Sequence, residues 1–351
     1  MKILVTGTAG FIGFHVAKEL AARGDEITGL DNINDYYDIN LKFGRLENAG
    51  IRRDKIIYNQ PVRSSTQANY TFIKINLEDK DNLLKLFEQE KFDALCHLAA
   101  QPGVRYSLEN PFAYIDSNIV GFINILEVSR LHRIKNLVYA SSSSVYGLNE
   151  EMPFSVRHNV DHPISLYAAT KKSMELMAHS YSYLYGIPTT GIRFFTVYGP
   201  WGRPDMAIFR FVKNILEDTP IDVYNLGRMK RDFTFIDDIA AGVIKIIDNP
   251  AKANDNWQGK NPDPSTSKAP YNIYNIGSNR PVGLVDFIKT IEDITGKKAK
   301  KNLLPMQPGD VQSTWADCSE LERDFGYRPG TPLKEGVKAF VDWYKAFYNK
   351  K

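Results

Sequence analysis

The chain has 351 residues and a formal net charge of +3, from 44 Lys and Arg against 41 Asp and Glu. This length predicts a large core and two domains, while so small a charge argues against nucleic acid or an anionic membrane as a partner. The cysteines, Cys96 and Cys318, form no C-x-x-C pair, which argues against a disulfide framework or a metal site and predicts a reducing, cytoplasmic location.

The first residues predict a strand, a glycine turn and a helix. Residues 3–5 are an apolar run typical of a strand buried on both faces. Gly7, Gly10 and Gly13 follow it, and helical spacing begins at Phe14. We expect Gly7 to permit a tight turn, Gly10 to let the backbone approach a pyrophosphate, and Gly13 to let the helix pack on the strand. Such a turn directs backbone N–H groups at a phosphate.

Asp31 ends a second predicted strand, Glu26 to Leu30, and lies 18 residues after Gly13. An acidic residue about 20 residues after the glycine turn is typical of a contact with the ribose hydroxyls of NAD. The alternative is a turn or helix cap, because Asn32 and Asn34 follow. A carboxylate here repels a 2′-phosphate, which favours NAD over NADP.

Strands and helices alternate along the rest of the first half of the chain. Further strands are predicted at 71–75, 94–100, 136–140 and 188–195, and helices at 39–49, 83–87, 112–132 and 167–184. This alternation predicts an α/β fold with a Rossmann-type doubly wound parallel sheet, covered by helices on both faces.

A serine run follows the fifth predicted strand directly. Residues 141–144 are all serine, and ligands bind at the carboxyl ends of strands in open α/β sheets. Farther along, Tyr167 and Lys171 stand four residues apart on a predicted helix, so both can meet the same small molecule. A lone Tyr-x-x-x-Lys pair is common, but a strand-end serine and a dinucleotide-binding turn in the same chain make it much more specific.

These motifs together resemble the extended short-chain dehydrogenase/reductase family, in its nucleotide-sugar epimerase branch. The resemblance covers nearly the whole chain, in residues 6–13, 97–100, 118–121, 141–147, 167–171, 193–200, 231–233, 274–277, 308–311 and 316–317. Residues 194–207 are similar to a segment typical of UDP-glucuronate 4-epimerases. Asn76 departs from the family pattern, which commonly has an Asp contacting the adenine.

The resemblance implies NAD-dependent 4-epimerisation of UDP-glucuronate to UDP-galacturonate through a 4-keto intermediate. Tyr167 would take the O4 proton, Lys171 would favour the phenolate, and Ser142 would relay or stabilise the proton. Ser143 is the neighbour that could be confused with Ser142. Alternatives are UDP-glucose 4-epimerase, UDP-glucuronate decarboxylase, and a non-catalytic NAD-sensing module. Thr196, where UDP-glucose 4-epimerases usually carry Asn, and Arg203 argue against the first.

The resemblance also implies the binding residues. The cofactor residues would be Gly7, Gly10, Phe11, Ile12, Gly13, Asp31, Asn32, Asn76, Leu77, Leu98, Ala99, Ala100, Asn118, Tyr167 and Lys171. The substrate residues would be Ser142, Ser143, Thr196, Arg203, Arg231 and Asp310. For Arg203 the alternative is a structural arginine stacked on Trp201 or paired with Asp205, and for Arg231 it is a surface ion pair with Asp232.

The domain assignment follows from the same resemblance. An NAD-binding domain would comprise 1–196, with 232–250 and 271–277 returning to it. A smaller α/β UDP-sugar-binding domain would comprise 197–231 and 278–348. Relatives are usually homodimers, here through the helices near 112–132 and 168–184.

Overall fold

The computed structural model describes residues 1–307 and 310–349. Its strands are β1 (Lys2–Thr6), β2 (Glu26–Asp31), β3 (Pro61–Arg63), β4 (Tyr70–Lys74), β5 (Ala94–His97), β6 (Asn136–Ser142), β7 (Thr189–Phe194), β8 (Thr196–Tyr198), β9 (Ile221–Val223), β10 (Lys230–Phe235), β11 (Tyr271–Ile276), β12 (Pro281–Gly283) and β13 (Lys301–Leu303).

Helices follow most of these strands. They are α1 (Phe11–Arg23), α2 (Ile39–Asn48), α3 (Lys80–Glu90), α4 (Tyr106–Glu109), α5 (Pro111–Ile115), α6 (Gly121–Leu131), α7 (Leu166–Tyr185), α8 (Ala207–Leu216), α9 (Ile236–Ile247), α10 (Leu284–Thr295), α11 (Ser319–Phe325) and α12 (Leu333–Phe347). A π-helical turn, Asp116–Val120, joins α5 to α6, and 3₁₀ turns lie at Arg53–Lys55, Ser143–Tyr146 and Tyr224–Gly227.

The chain divides into two compact units. The first comprises Met1–Asn149, Val156–Arg193 and Ala240–Tyr274, and the second Glu150–Ser155, Phe194–Ile239 and Asn275–Lys351. This division differs from the predicted boundaries chiefly in residues 232–239, which group with the second unit. The reason is that β10 pairs with β8 and β12 there.

The large sheet has the strand order β11-β7-β6-β5-β1-β2-β4-β3. β1 pairs in parallel with both β2 and β5, and β2–β4 and β5–β6 are also parallel, whereas the short edge strand β3 runs antiparallel to β4. The chain order reverses between β1 and β5, which is where a doubly wound sheet binds its ligand. The structure therefore confirms the predicted Rossmann-type fold, and brings the ends of β1, β2, β5 and β6 to one edge.

A buried apolar cluster holds helices on this sheet. It includes Leu4 of β1, Phe87 of α3, Leu95 of β5, Phe122 of α6 and Met174 of α7, each 0% exposed. Each such side chain stabilises the fold by about 1.5–3 kcal/mol through burial. The strand ends are therefore fixed relative to α7.

The second unit is built on a three-stranded sheet of order β12-β10-β8 and a parallel pair of β9 and β13. Aromatic packing fills it, as in the stacked rings of Phe233 and Phe287, 4.1 Å apart, and the edge contact of Phe209 with Phe340. In the described part of the chain no helix combines the length and apolar character needed to cross a membrane.

Candidate active site

The glycine turn is tightly packed. Gly7 has a φ of +79°, in the left-handed region, and a Cβ there would lie 2.8 Å from the Ala99 amide nitrogen. A Cβ on Gly13 would overlap the Gly7 carbonyl oxygen. The predicted tight turn at Gly7 is therefore present. Gly13 packs against the turn that follows β1, and a Cβ on Gly10 would also meet this turn, 2.9 Å from the same oxygen.

Helix α1 starts directly after this turn, at Phe11 and Ile12. Gly10 occupies the N-cap position, no side chain caps the helix, and its first turn contains no acidic residue. The positive end of the helix dipole is thus left for an anion such as a pyrophosphate.

Asp31 joins the end of β2 to the glycine turn. Its carboxylate is buried, with Oδ1 accepting from the Ile33 amide at 2.8 Å and Oδ2 from the Ala9 amide at 3.1 Å. The alternative role of Asp31 as a turn cap is therefore confirmed by the hydrogen bond from the Ile33 amide. A carboxylate accepts about four hydrogen bonds, so these contacts leave capacity for ribose hydroxyls beside Asn32.

Two buried basic residues near Asp31 were not predicted from the sequence. Arg45 is fully buried and donates through Nη1 to the Ala9 carbonyl and to Tyr37 Oη, each at 2.7 Å. Lys42 donates to Asn34 Oδ1 at 2.5 Å. Their three-residue spacing on α2, beside apolar Leu41 and Leu46, is the signal that both side chains face inward.

The segment after β5 lies against the glycine turn. Thr6 Oγ1 accepts from the Ala99 amide at 3.1 Å and bonds His97 Nδ1 at 2.9 Å. Burial, together with the charge of Lys171, lowers the pKa of His97 to about 3, so this histidine is neutral. The structure thus brings Leu98, Ala99 and Ala100 to the edge that carries Gly7.

Asn118 lies in the π-helical turn and is fully buried. Its side chain accepts from the Gln101 amide at 2.8 Å and donates to the Gln101 carbonyl and Thr170 Oγ1, both at 3.1 Å. In this arrangement Asn118 fixes the Ala100–Gln101 segment against α7. Asn76 and Leu77 follow β4, where Asn76 is exposed and Leu77 is buried.

Tyr167 and Lys171 occupy the first two turns of α7. Ser165 caps this helix by accepting from the Ala168 amide at 3.2 Å. Lys171 Nζ donates to the Ala140 carbonyl of β6 at 2.8 Å, and burial lowers the pKa of Lys171 to about 7. That hydrogen bond places Lys171 beside the end of β6, where Ser142 lies, and Tyr167 stands one turn earlier on the same helix.

The serines have different partners. Ser141 Oγ donates to Glu175 Oε1 at 2.6 Å, whereas Ser142 Oγ donates to Ser144 Oγ and accepts from the Ser144 amide, both at 3.1 Å. Ser143 is half-buried in the following 3₁₀ turn. Ser142 and Ser143 remain the candidates for a substrate contact, and Ser141 serves Glu175.

The remaining predicted site residues lie in the second unit. Thr196 begins β8, and Arg203 follows it in a loop. Arg203 forms a two-pronged ion pair with Asp205, through Nε at 3.0 Å and Nη2 at 2.5 Å. Although burial would raise the pKa of Asp205, Arg203 holds it below its usual value. The structural pairing of Arg203 with Asp205, left open by the sequence, is thus present.

Arg231 donates to the backbone carbonyls of Lys230, Val311 and Gln312, at 2.9, 2.7 and 3.1 Å. Burial lowers the pKa of Arg231 and the charge of Asp310 opposes that shift, so the structure brings these two predicted residues together. Pro308 and Gly309 of the same motif lie outside the described residues.

The proposed surface ion pair of Arg231 with Asp232 is wrong, because Asp232 is fully buried. Its carboxylate accepts from the amides of Ser278, Asn279 and Ala316, at 2.6, 3.0 and 3.1 Å. Asp232 thus ties β10 to two neighbouring segments of its own unit. Across the described residues, His, Cys, Asp and Glu form no group that could hold a metal ion.

Known proteins resemble the chain over its full length. The protein CapI of Staphylococcus aureus is 55% identical over 350 residues, covering 100% of both chains. A probable UDP-glucuronate 4-epimerase of Rhizobium meliloti is 46% identical, covering 100% of this chain and 98% of that one. The crystal structure of UDP-glucuronic acid 4-epimerase from Bacillus cereus, in complex with UDP-glucuronic acid and NAD, matches with a TM-score of 0.82 at 33% identity, over 99% and 100% of the chains.

A family model agrees with these relatives and with the geometry of the glycine turn and of α7. The model described as the NAD dependent epimerase/dehydratase family matches residues 3–277, which include every predicted cofactor residue. The chain belongs to the NAD dependent epimerase/dehydratase family.

Proposed function

We propose that the protein interconverts UDP-glucuronate and UDP-galacturonate by NAD-dependent 4-epimerisation. The observation that carries this proposal is the full-length similarity to UDP-glucuronate 4-epimerases. The supporting geometry is at the edge of the large sheet. The glycine turn follows β1 there, the serine turn (residues 142–145) ends β6, and Lys171 of α7 bonds the Ala140 carbonyl of β6.

The glycine turn and its surroundings fit NAD. Gly7 has no room for a side chain, α1 starts without an acidic residue, and Asp31 lies at the end of the next strand. The predicted cofactor residues, from Gly7 to Lys171, would hold it. When bound, NAD accepts the hydride from C4 of the sugar and returns it to the opposite face.

Tyr167 is the proposed base that removes the O4 proton. A free tyrosine has a pKa of about 10 and is a poor base at neutral pH. The Lys171 ammonium one turn away stabilises the phenolate, and the phenolate in turn favours the protonated lysine. Ser142, at the end of β6, would hydrogen-bond the same oxygen during the transfer, with Ser143 as its alternative.

The carboxylate of the substrate poses a chemical problem. A 4-keto uronic acid is a β-keto acid, and it loses CO₂ when the carboxylate stands perpendicular to the ring plane. An epimerase must prevent this orientation, and a bidentate guanidinium does so by fixing charge and direction together. We assign that role to Arg203, with one hydrogen bond from Thr196. The Arg203 guanidinium, which is paired with Asp205, would then release Asp205 and bind the substrate carboxylate.

Arg231 and Asp310 of the second unit are the proposed contacts for UDP. A guanidinium suits a diphosphate, and the carboxylate of Asp310 suits the hydroxyls of the uridine ribose. The backbone carbonyls that now accept from Arg231 hold its side chain in one orientation.

A product assay distinguishes the candidate functions. Purified protein is incubated with UDP-glucuronate or with UDP-glucose, and UDP-galacturonate, UDP-xylose and UDP-galactose are resolved. We expect UDP-galacturonate from the acidic sugar and far less turnover of the neutral one. UDP-xylose would instead identify a decarboxylase, preferential turnover of UDP-glucose a neutral-sugar epimerase, and inactivity an NAD-sensing module. Tyr167→Phe is the matched control, which deletes only the acid/base oxygen.

We also propose a homodimer formed through α5, α6 and α7. Leu176, Tyr183 and Leu184 are 58, 66 and 66% exposed and lie on one stripe of α7, and Phe112 of α5 is 75% exposed. Exposed apolar patches of this kind mark interfaces. A reducing, cytoplasmic location is supported by Cys96 and Cys318, which are buried and form no disulfide.

A further inference from the structure

A fully buried ion pair lies one helical turn beyond Lys171. Glu175 of α7 accepts from Arg193 of β7 through both carboxylate oxygens, with Nε–Oε1 at 2.9 Å and Nη2–Oε2 at 3.0 Å. The side chains are 3% and 1% exposed. Although burial would raise the pKa of Glu175, the charge of Arg193 keeps it below its usual value, so the pair is ionised.

This pair contacts the two residues that flank the serine turn (residues 142–145). Before the turn, Ser141 Oγ donates to Glu175 Oε1 at 2.6 Å. After it, Arg193 Nη1 donates to Tyr146 Oη at 3.2 Å, and the guanidinium lies 5.0 Å from the centre of the Tyr146 ring. The serine turn is therefore attached at its two ends to a pair whose acidic member lies on the Tyr167 helix.

Stability alone is a weak explanation for such a pair. Removing two charges from water costs several kcal/mol per ion, and well-packed apolar residues of similar volume are often as stabilising. A bidentate pair also fixes the orientation of its two side chains, because its geometry tolerates little rotation. Such a fixed orientation is useful where a neighbouring hydroxyl must meet a reacting oxygen.

We propose that Glu175 and Arg193 are positioning residues, which set the serine turn against Tyr167 so that Ser142 meets the reacting oxygen. The proposal rests on the proposed epimerase function for its catalytic meaning. It assigns no substrate contact to either member of the pair. The pair affects turnover only through the orientation of the serine turn.

The most specific variants remove the hydrogen bonds of Ser141 and Tyr146 and keep the ion pair. Ser141→Ala and Tyr146→Phe each delete one hydroxyl, so the double variant removes both hydrogen bonds between the flanks of the serine turn and the pair without leaving a buried charge unpaired. We expect kcat to fall about 10- to 100-fold, with unchanged KM and bound NAD. Ser129→Ala is the control, because Ser129 is also fully buried and donates to the Ile125 carbonyl of α6; it should leave kcat unchanged.

A double-mutant cycle separates positioning from general stability. In a Ser142→Ala background the loss caused by the double variant should largely disappear. Disappearance in a Ser143→Ala background instead would support the proposal and transfer the hydroxyl role to Ser143. An equal loss in both backgrounds, or a lower melting temperature with unchanged kcat, would overturn it.

A crystal structure of the Ser141→Ala/Tyr146→Phe variant gives a readout independent of turnover. A displacement of the serine turn by more than about 0.5 Å relative to α7 supports positioning, and an unmoved turn contradicts it, whichever substrate the enzyme uses. Wild-type turnover in the same assay tests the proposed function separately.

Discussion

The burial of Lys171 lowers the free energy of unfolding by an amount that depends on pH. Burial lowers its pKa to about 7 in the folded protein, against about 10.4 in the unfolded chain. Between these values the unfolded chain binds a proton that the folded protein does not, so this residue makes stability rise with pH. The size is about 1.4 kcal/mol per unit of pKa difference.

Urea unfolding of NAD-free protein between about pH 6.5 and 9.5 tests this linkage. The wild type should gain stability with pH relative to Lys171→Met, which lacks the titrating group. Lys172→Met, which removes the neighbouring, partly exposed lysine, is the control for the loss of a positive charge from α7. Parallel curves for the wild type and Lys171→Met would show that the buried amine does not titrate in this range.

Arg203 has competing partners, and a pair of variants separates them. If Arg203 binds the substrate carboxylate, Arg203→Ala should cost about 2–5 kcal/mol in transition-state binding of UDP-glucuronate and far less for UDP-glucose. Part of the remaining turnover should yield a decarboxylated UDP-pentose. Asp205→Asn should retain activity on UDP-glucuronate, since it only weakens the hold on the guanidinium. Equal losses in both variants on both sugars would identify a purely structural pair.

The sequence could not distinguish these roles because a side chain's partner depends on folding. Residues 141 to 144 are all serine. Only the position of Glu175 on the neighbouring helix makes Ser141 its hydrogen-bond partner. Likewise the bidentate contact of Arg203 with Asp205 depends on the conformation of an irregular loop. The position of Asp31 at the end of β2 was predictable because its spacing from the glycines is fixed by one strand–helix–strand unit.

The turn between β1 and α1 is the element most sensitive to side-chain size. Gly13→Ala would push α1 away from the Gly7 carbonyl, so the variant should lose bound NAD and melt roughly 5 °C lower. Gly259→Ala is the control, because its Cβ would lie 3.7 Å from the nearest Trp257 atom, an ordinary contact. Full NAD content in Gly13→Ala, measured by absorbance after denaturation, would contradict the account of this turn.

Long elements were easier to predict from sequence than short ones. The strands β1, β2, β4, β5 and β6 and the helix α7 have clear apolar patterns, and all were expected. β8, β9, β12 and β13 have three residues each, too few for a period to show. β10 was also missed, since its charged start hides the pairing with β8 and β12 that defines it.

The assembly of the whole molecule is tested at α7. Leu184→Glu places a charge in the proposed interface and should convert a dimer to a monomer, measured by size-exclusion chromatography with light scattering. Leu303→Glu is the matched control, because Leu303 is 59% exposed in the second unit and should leave the dimer intact. A wild-type monomer, or a dimer unaffected by Leu184→Glu, would exclude this interface.

The proposed epimerase inverts C4 of UDP-glucuronate by removing and returning the same hydrogen. The most direct measurement uses UDP-glucuronate deuterated at C4, incubated in ordinary water without added cofactor, with Tyr167→Phe as the inactive control. We predict UDP-galacturonate that retains deuterium at C4, because the bound NAD keeps the hydrogen between the two transfers. Product with ordinary hydrogen at C4, or no UDP-galacturonate at all, would contradict the account.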